Sequence, residues 1–170
     1  YGAPASAFEE AFERGCNYFY WGSRRSSEMR EAIKNLCRQG KRDRLIIVIQ
    51  SYSRSATLLE AFYRRALRGL KLDYADVLLL GWYQRRPASR ILDRAITLKD
   101  RGLVRFLAIS SHNRGLFSKL TNEGIFDIFH IRYSAAHRGA ETQTFPYLEG
   151  ENRAGIASYT ATRWGQLLQQ

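Results

Sequence analysis

A chain of 170 residues, 45% hydrophobic and 25% charged, has the makeup of an ordinary globular protein and is sized for a single domain over residues 1–170. No apolar run approaches the ~20 residues that cross a bilayer, and residues 1–15 lack the basic start and apolar middle of a secretion signal, so the expectation is a soluble cytoplasmic protein without membrane contact. Lys and Arg number 27 against 16 Asp and Glu, giving +11 and a pI near 10.0; this favours anionic partners, but the arginines are scattered through helical patterns, so solvated helix faces outweigh a nucleic-acid surface.

Residues 5–14 place Phe8, Ala11 and Phe12 at helical spacing and stop at Gly15. Residues 16–21 are short and aromatic-rich, as a strand is, and Gly22 ends them. Ser26 or Ser27 caps a helix to about residue 38, with Met29, Ile33, Leu36 and Cys37 inward. Residues 45–49 read as a doubly buried strand, and a helix from Ser53 or Ser55 to Arg68 is closed by Gly69. The organising strand comes next: Val77, Leu78, Leu79 and Leu80 run without interruption to Gly81, and each side chain is worth roughly 1.5–3 kcal/mol if fully buried. Pro87 is positioned to start a helix that reaches Gly102. Residues 104–109 form another strand, 115–120 a short helix and 126–133 a strand. A long polar connector follows, with room for a helical turn. A strand at 156–159 and the start of a helix at 162–169 complete six strands, each near a helix. Cys16 and Cys37 read as buried or half-buried free thiols, since they have neither CxxC spacing nor the density of a disulfide scaffold.

Six parallel strands with covering helices fit an open doubly wound sheet or most of a (β/α)8 TIM barrel, both α/β architectures. No Gly-rich phosphate fingerprint follows the first strand and no GxxxxGK(S/T) occurs, which favours the barrel. In either fold, function lies outside the carboxyl ends of the strands, here Tyr20-Trp21, Gln50-Ser51, Gly81-Trp82, Ser110-Ser111, Arg132-Tyr133 and Tyr159-Thr160. Aromatic rings dominate these positions, and carboxylates and lysines are absent from them. Such a mouth suits a flat ring held by stacking. A general acid or base has to come from Tyr20, Tyr133, Tyr159, His112, His130 or His137. Against that, Tyr20 and Tyr159 are ordinarily packing residues, His130 reads first as a satisfied core histidine, and His112 and His137 read as solvent-facing loop residues. No three histidines or carboxylates have metal-ligand spacing, so no metal is expected.

Taken in order, GCNYF at 15–19 with Ser27-Glu28 after it, LDYADVLLLGW at 72–82, DRGLVRFLAISSHN at 100–113, FDIFHIRYSAAHRGAE at 126–141 and GIASYTATRWG at 155–165 resemble the aldo-keto reductase family of NADPH-dependent (β/α)8 oxidoreductases. Five motifs in family order are more specific than any one. The resemblance implies a partial barrel with strands two to seven present. An open piece of barrel exposes edge strands and is expected to aggregate or take a partner.

Family members protonate the carbonyl oxygen through an Asp, Tyr, Lys, His tetrad as hydride arrives. By the resemblance, the Asp falls on Tyr20, the loop that presents the Tyr is shortened to GSRRSS, the Lys falls on Gln50 or Ser51, and the His on Gly81. The usual proton donor and its pKa-lowering lysine are therefore replaced. The cofactor side matches better. The pair that holds the nicotinamide carboxamide falls on Ser110 and Ser111, the Gln beneath it on His130, and the stacking Tyr on Tyr159; Trp21 and Trp82 are placed against the substrate.

Three functions compete. The first is an NADP(H)-linked oxidoreductase of divergent mechanism, with Tyr20, its pKa lowered by Arg24 or Arg25, protonating a small carbonyl substrate. The second is a non-catalytic relative that keeps a nucleotide pocket for binding or regulation. The third is an anion or nucleic-acid binder using the basic surface, drawing on the pairs Arg24-Arg25, Arg64-Arg65 and Arg85-Arg86. Loss of the tetrad argues against ordinary turnover, whereas Tyr159 and the serines argue for a cofactor; on balance the oxidoreductase reading leads.

Overall fold

The computed structural model describes residues 2–22, 26–148, 150, 153–163 and 165–169. Helix α1 (Ala5–Glu13) leads into β1 (Tyr18–Trp21), and the pattern repeats as α2 (Ser27–Arg38), β2 (Ile46–Ser51), α3 (Ala56–Leu70), β3 (Ala75–Leu80), α4 (Ser89–Asp100), β4 (Val104–Ser111), α5 (Gly115–Thr121) and β5 (Ile128–Arg132). A short α6 (Ala140–Gln143) and a 3-10 turn (Phe145–Tyr147) fill the polar connector before β6 (Gly155–Tyr159). The strands form one parallel sheet in sequence order, β1-β2-β3-β4-β5-β6. All six residues of β3 are buried; the apolar run Val77 to Leu80 is what a strand covered on both faces requires, and Asp76 is the exception.

The sheet is curled. Flat strands about 4.8 Å apart would set β1 and β5 roughly 19 Å from each other, yet the Tyr18 hydroxyl of β1 lies 2.8 Å from His130 Nε2 of β5. Alternation along each strand sorts the side chains accordingly. Ile47, Ile49, Leu78, Leu80, Leu107, Ile109, Phe129 and Ile131 join the large core between sheet and helices, while Val48, Val77, Leu79 and Ala108 pack with Tyr18, Ile46 and Ile128 on the concave face. The architecture is a partial (β/α)8 barrel.

Two carboxylates, the buried Asp76 and the partly exposed Asp127, tie the amino ends of the strands together. Asp76, only 1% exposed, accepts from Ile47 N at 2.9 Å and pairs with Arg42 at 2.9 Å and Arg105 at 3.1 Å. Asp127 accepts from Leu107 N at 2.7 Å and from Lys99 Nζ. A carboxylate as deep as Asp76 persists because its lone pairs meet donors on several sides.

Several boundaries differ from the sequence pattern. Helix α3 does not stop at Gly69; it continues through Leu70, which is fully buried, and ends at Lys71 in the left-handed region at φ 59. Bonds from Leu72 N to Leu67 O and from Lys71 N to Arg68 O complete a Schellman ending. Burial of Leu70 outweighs the stop signal of the glycine. Pro87 lies outside α4, whose cap is Ala88. The last helical stretch is a 3-10 turn, Gln166–Leu168. Cys37 is half-buried, but Cys16 is exposed rather than buried, because it lies in the turn between α1 and β1. Among the described residues, no helix is long and apolar enough to cross a membrane, and no three His, Cys, Asp or Glu side chains converge as metal ligands.

Candidate functional site

The concave face opens, at the carboxyl ends of the strands, into a cleft of about 630 Å³. Period-two alternation decides which residues reach it. On β1, Tyr18 and Tyr20 point in, from β3 comes Leu79, from β4 Ser110, from β5 His130 and from β6 Ala157 and Tyr159. The loops after the strands add Tyr52, Trp82 and His112.

Of the residues expected at the site, Tyr20, Trp82, Ser110, His130 and Tyr159 line this cleft. Two do not. Trp21 is out of phase with Tyr20 and packs into the core under the helices, with its indole Nε1 buried and without a hydrogen-bond partner among the described residues. Ser111, 1% exposed, turns away and closes the following bend, its Oγ accepting from Asn113 N at 2.9 Å. Arg24 and Arg25 lie outside the described residues. Gln50, named above as a strand end, and His112, weighed above as an acid or base, line the cleft too, and Tyr18 and Tyr52 do so without having been singled out. For Tyr18 and Gln50 the signal was the same alternation, since each is in phase with an inward residue of its own strand.

Three rings form the rim. The Trp82 and His112 centroids are 5.9 Å apart, and His112 stacks on Tyr159 at 6.4 Å with an interplanar angle of 28°. Trp82 sits in the left-handed region at φ 56, a conformation that costs a bulky residue roughly 1–2 kcal/mol. Its turn is pinned from several sides: Trp82 N donates to Ser110 Oγ at 2.9 Å, Tyr83 N to Ser110 O at 2.9 Å, and Arg54 Nη2 to the carbonyls of Gly81 and Trp82 at 3.1 and 2.8 Å. The Arg54 guanidinium also covers the Tyr83 ring at 3.7 Å. The indole is thereby held over the cleft.

The floor is neutral. Tyr18 and His130 share a hydrogen bond across the barrel; burial pushes the His130 pKa down to about 4 and the Tyr18 pKa up to about 12. Over the physiological range both are uncharged, and the bond joins a phenol to a neutral imidazole.

Tyr20, Gln50 and Gly81 form a second neutral group. The Tyr20 hydroxyl donates to Gln50 Oε1. Gln50 reaches it across Gly81, where a Cβ would fall 2.3 Å from Gln50 Nε2. The absence of a side chain at Gly81 leaves room for the Gln50 carboxamide, which in turn engages the Tyr20 phenol.

Positive charge gathers beyond Tyr159. Burial raises the Tyr159 pKa while the nearby Arg132 and Arg114 oppose it, and His137 is lowered by burial and by Arg132, Arg163 and Arg114. Arg132 Nη2 is 2.6 Å from His137 Nε2. Arg114 Nε is buried without a hydrogen-bond partner among the described residues, a donor directed at no protein acceptor. A ring that stacks on Tyr159 while an attached anionic group meets these arginines fits the arrangement; Ser110 keeps its hydroxyl proton for an amide on that ring, since its oxygen accepts from Trp82 N.

A search of curated proteins finds no match. Among solved structures, the chain is similar to an aldo/keto reductase from Klebsiella pneumoniae in complex with NADP and acetate, at TM-score 0.80 and 19% identity over 98% of this chain and 60% of that one. It is also similar to an aldo-keto reductase from Bacillus halodurans in its holo form, at TM-score 0.81 and 20% identity, covering 96% of this chain and 57% of that one. A putative 2,5-diketo-D-gluconic acid reductase B superposes at TM-score 0.69 and 17% identity, over 95% and 58% of the respective chains. This chain therefore spans about 60% of the length of the structures it matches, and at such identities the likeness establishes the fold. The family assignment comes from the sequence: the model of the Aldo/keto reductase family matches residues 5–169, and the chain belongs to that family.

Proposed function

We propose that this protein is an aldo-keto reductase-type oxidoreductase that binds NADP(H) with the nicotinamide against Tyr159 and acts on a small carbonyl or alcohol substrate by a divergent mechanism. The observation that carries the reading is the juxtaposition of the half-buried Tyr159 ring with Arg132 and Arg114, which together with Arg163 also surround His137. Supporting it, the structures of similar fold include one in complex with NADP and one in complex with NADPH. Bound NADPH supplies a hydride. The chain's part is to seat the ring on Tyr159, to orient its amide through the Ser110 hydroxyl above the His130–Tyr18 floor, and to present a proton at the carbonyl oxygen. Tyr20 at the mouth, 41% exposed, is the proposed donor, with Trp82 covering the substrate.

A second reading has its own observation. Tyr20 gives its proton to an uncharged carboxamide, and no carboxylate or lysine lines the cleft among the described residues. A barrel that binds the dinucleotide without turnover fits those two facts.

The test is a fluorescence titration with NADPH followed by a carbonyl panel. Saturable binding that weakens about tenfold in Tyr159→Ala is expected, since an aromatic stacking contact is worth about 0.5–1.5 kcal/mol beyond its buried area. Reduction abolished in Tyr20→Phe, with NADPH affinity unchanged, supports the catalytic assignment; binding with no reduction by the wild-type chain selects the binding protein. No binding at all overturns both.

A further inference from the structure

Trp82 is the wall of a second concavity. This one, about 590 Å³ in volume, is lined by Arg54, Arg85, Arg86 and Arg90, with no carboxylate among its lining residues. Two of the four guanidiniums are committed. Arg54 is spent on backbone carbonyls and on the Tyr83 ring, and Arg86 Nε is held by both oxygens of Glu123 at 2.8 and 2.9 Å. The other two are not. Arg85 and Arg90 are exposed and have neither a hydrogen bond nor an ion pair among the described residues.

Along α3, α4 and the amino end of the sheet, several arginines are neutralised. Glu60 alone takes Arg64, Arg94 and Arg101, and Asp76 takes Arg42 and Arg105. In the Trp82 cleft four positive groups face one concave space whose lining holds no carboxylate, with Glu123 and Asp93 acting on Arg86 from behind, so the space keeps an excess of positive charge that the protein wall focuses. Planar guanidiniums with free edges fit a carboxylate or phosphate bidentately. The strained backbone of Trp82 adds an independent pointer, because a bulky residue kept at φ 56 by bonds to Ser110 and Arg54 is the kind of cost that concentrates at functional sites.

We propose that this cleft is an oxyanion subsite, in which Arg85 and Arg90 grip a carboxylate or phosphate group carried on the tail of the substrate whose carbonyl occupies the aromatic cleft beyond Trp82. The preferred substrates are then anionic carbonyl compounds. That the bound anion is the tail of a substrate rests on the reductase reading; the oxyanion site does not.

The test follows the Trp82 indole N–H by NMR while the chain is titrated with inorganic phosphate and, separately, succinate, with ionic strength held constant by sodium chloride. A saturable shift is expected, weakened at least tenfold in the Arg85→Gln/Arg90→Gln double variant and changed less than twofold by Arg68→Gln, which removes an exposed charge from α3. The single variant Arg85→Gln is expected to fall between, and circular dichroism reports whether each variant is folded. Saturation by both probes supports an oxyanion site in general; saturation by phosphate alone supports it and narrows the tail to a phosphoryl group. No saturable shift, or equal weakening by Arg68→Gln, overturns it. The titration is then repeated with excess NADPH. Unchanged phosphate affinity supports a site beside the cofactor, and displacement of phosphate assigns the cleft to the cofactor and overturns the proposal. If NADPH does not bind, the reductase reading fails while the phosphate titration still decides the oxyanion site.

Discussion

His130 shows how one side chain ties the site to the stability of the chain. It is 6% exposed, bonded to Tyr18, and burial lowers its pKa from 6.5 to about 4. An unfolded chain therefore binds a proton that the folded one refuses between pH 6.5 and 4, and stability rises with pH across that window. Above 6.5 the neutral imidazole is present in both states and the contribution is complete. As pH falls toward 4 the loss accumulates to about 3 kcal/mol, and below 4 it grows no further. His130→Gln keeps a partner for the Tyr18 hydroxyl and removes the titration. Urea unfolding at pH 7 and pH 4.5 is expected to show a smaller difference in midpoint for the variant than for the wild type; an identical difference would assign the acid lability to other groups.

Among the elements, β2 and β3 depend on a single buried group. Asp76 binds the backbone N–H of Ile47 and two arginines at once, so it fixes the register of β2 on β3 and anchors the 3-10 turn Arg42–Arg44 at the amino end of the sheet. Asp76→Ala leaves a buried N–H without an acceptor and strands Arg42, whose side chain is 16% exposed. Removing one partner of a buried ion pair costs about 3–5 kcal/mol. Thermal unfolding of this variant is expected to show that loss, with the aromatic cleft at the opposite end unaffected once the protein is folded. A drop below 1 kcal/mol, within the range of an exposed ion pair, would mean that the arginines find solvent on their own.

At the scale of the whole molecule, the sequence made the barrel legible because uninterrupted runs such as that of Val77 to Leu80 and the helical stripes between them record burial directly. The site was half legible. Tyr20, Trp82, Ser110, His130 and Tyr159 lie where strand ends converge, whereas Trp21 and Ser111 were separated from their neighbours by one step of alternation. The Tyr18–His130 bond joins residues 112 positions apart, and the cleft of Arg85 and Arg90 depends on which carboxylates the fold delivers elsewhere; neither is local information. Curvature also decides how the chain meets its surroundings. Among the described residues β1 pairs only with β2 and β6 only with β5, leaving two unpaired edges in one curled sheet. The β6 edge is the more open, with Ile156 38% exposed and no charged residue among its five. Such an edge templates pairing with another chain, and a lysine on it opposes that pairing by charge and by the cost of dehydrating an ammonium group. Sedimentation velocity over a range of concentrations is expected to show self-association of the wild-type chain that shifts toward monomer in Ile156→Lys. Identical profiles for the two proteins would place the contact at another surface, and a monomer at all concentrations would show that the curl of the sheet is itself enough to protect its edges.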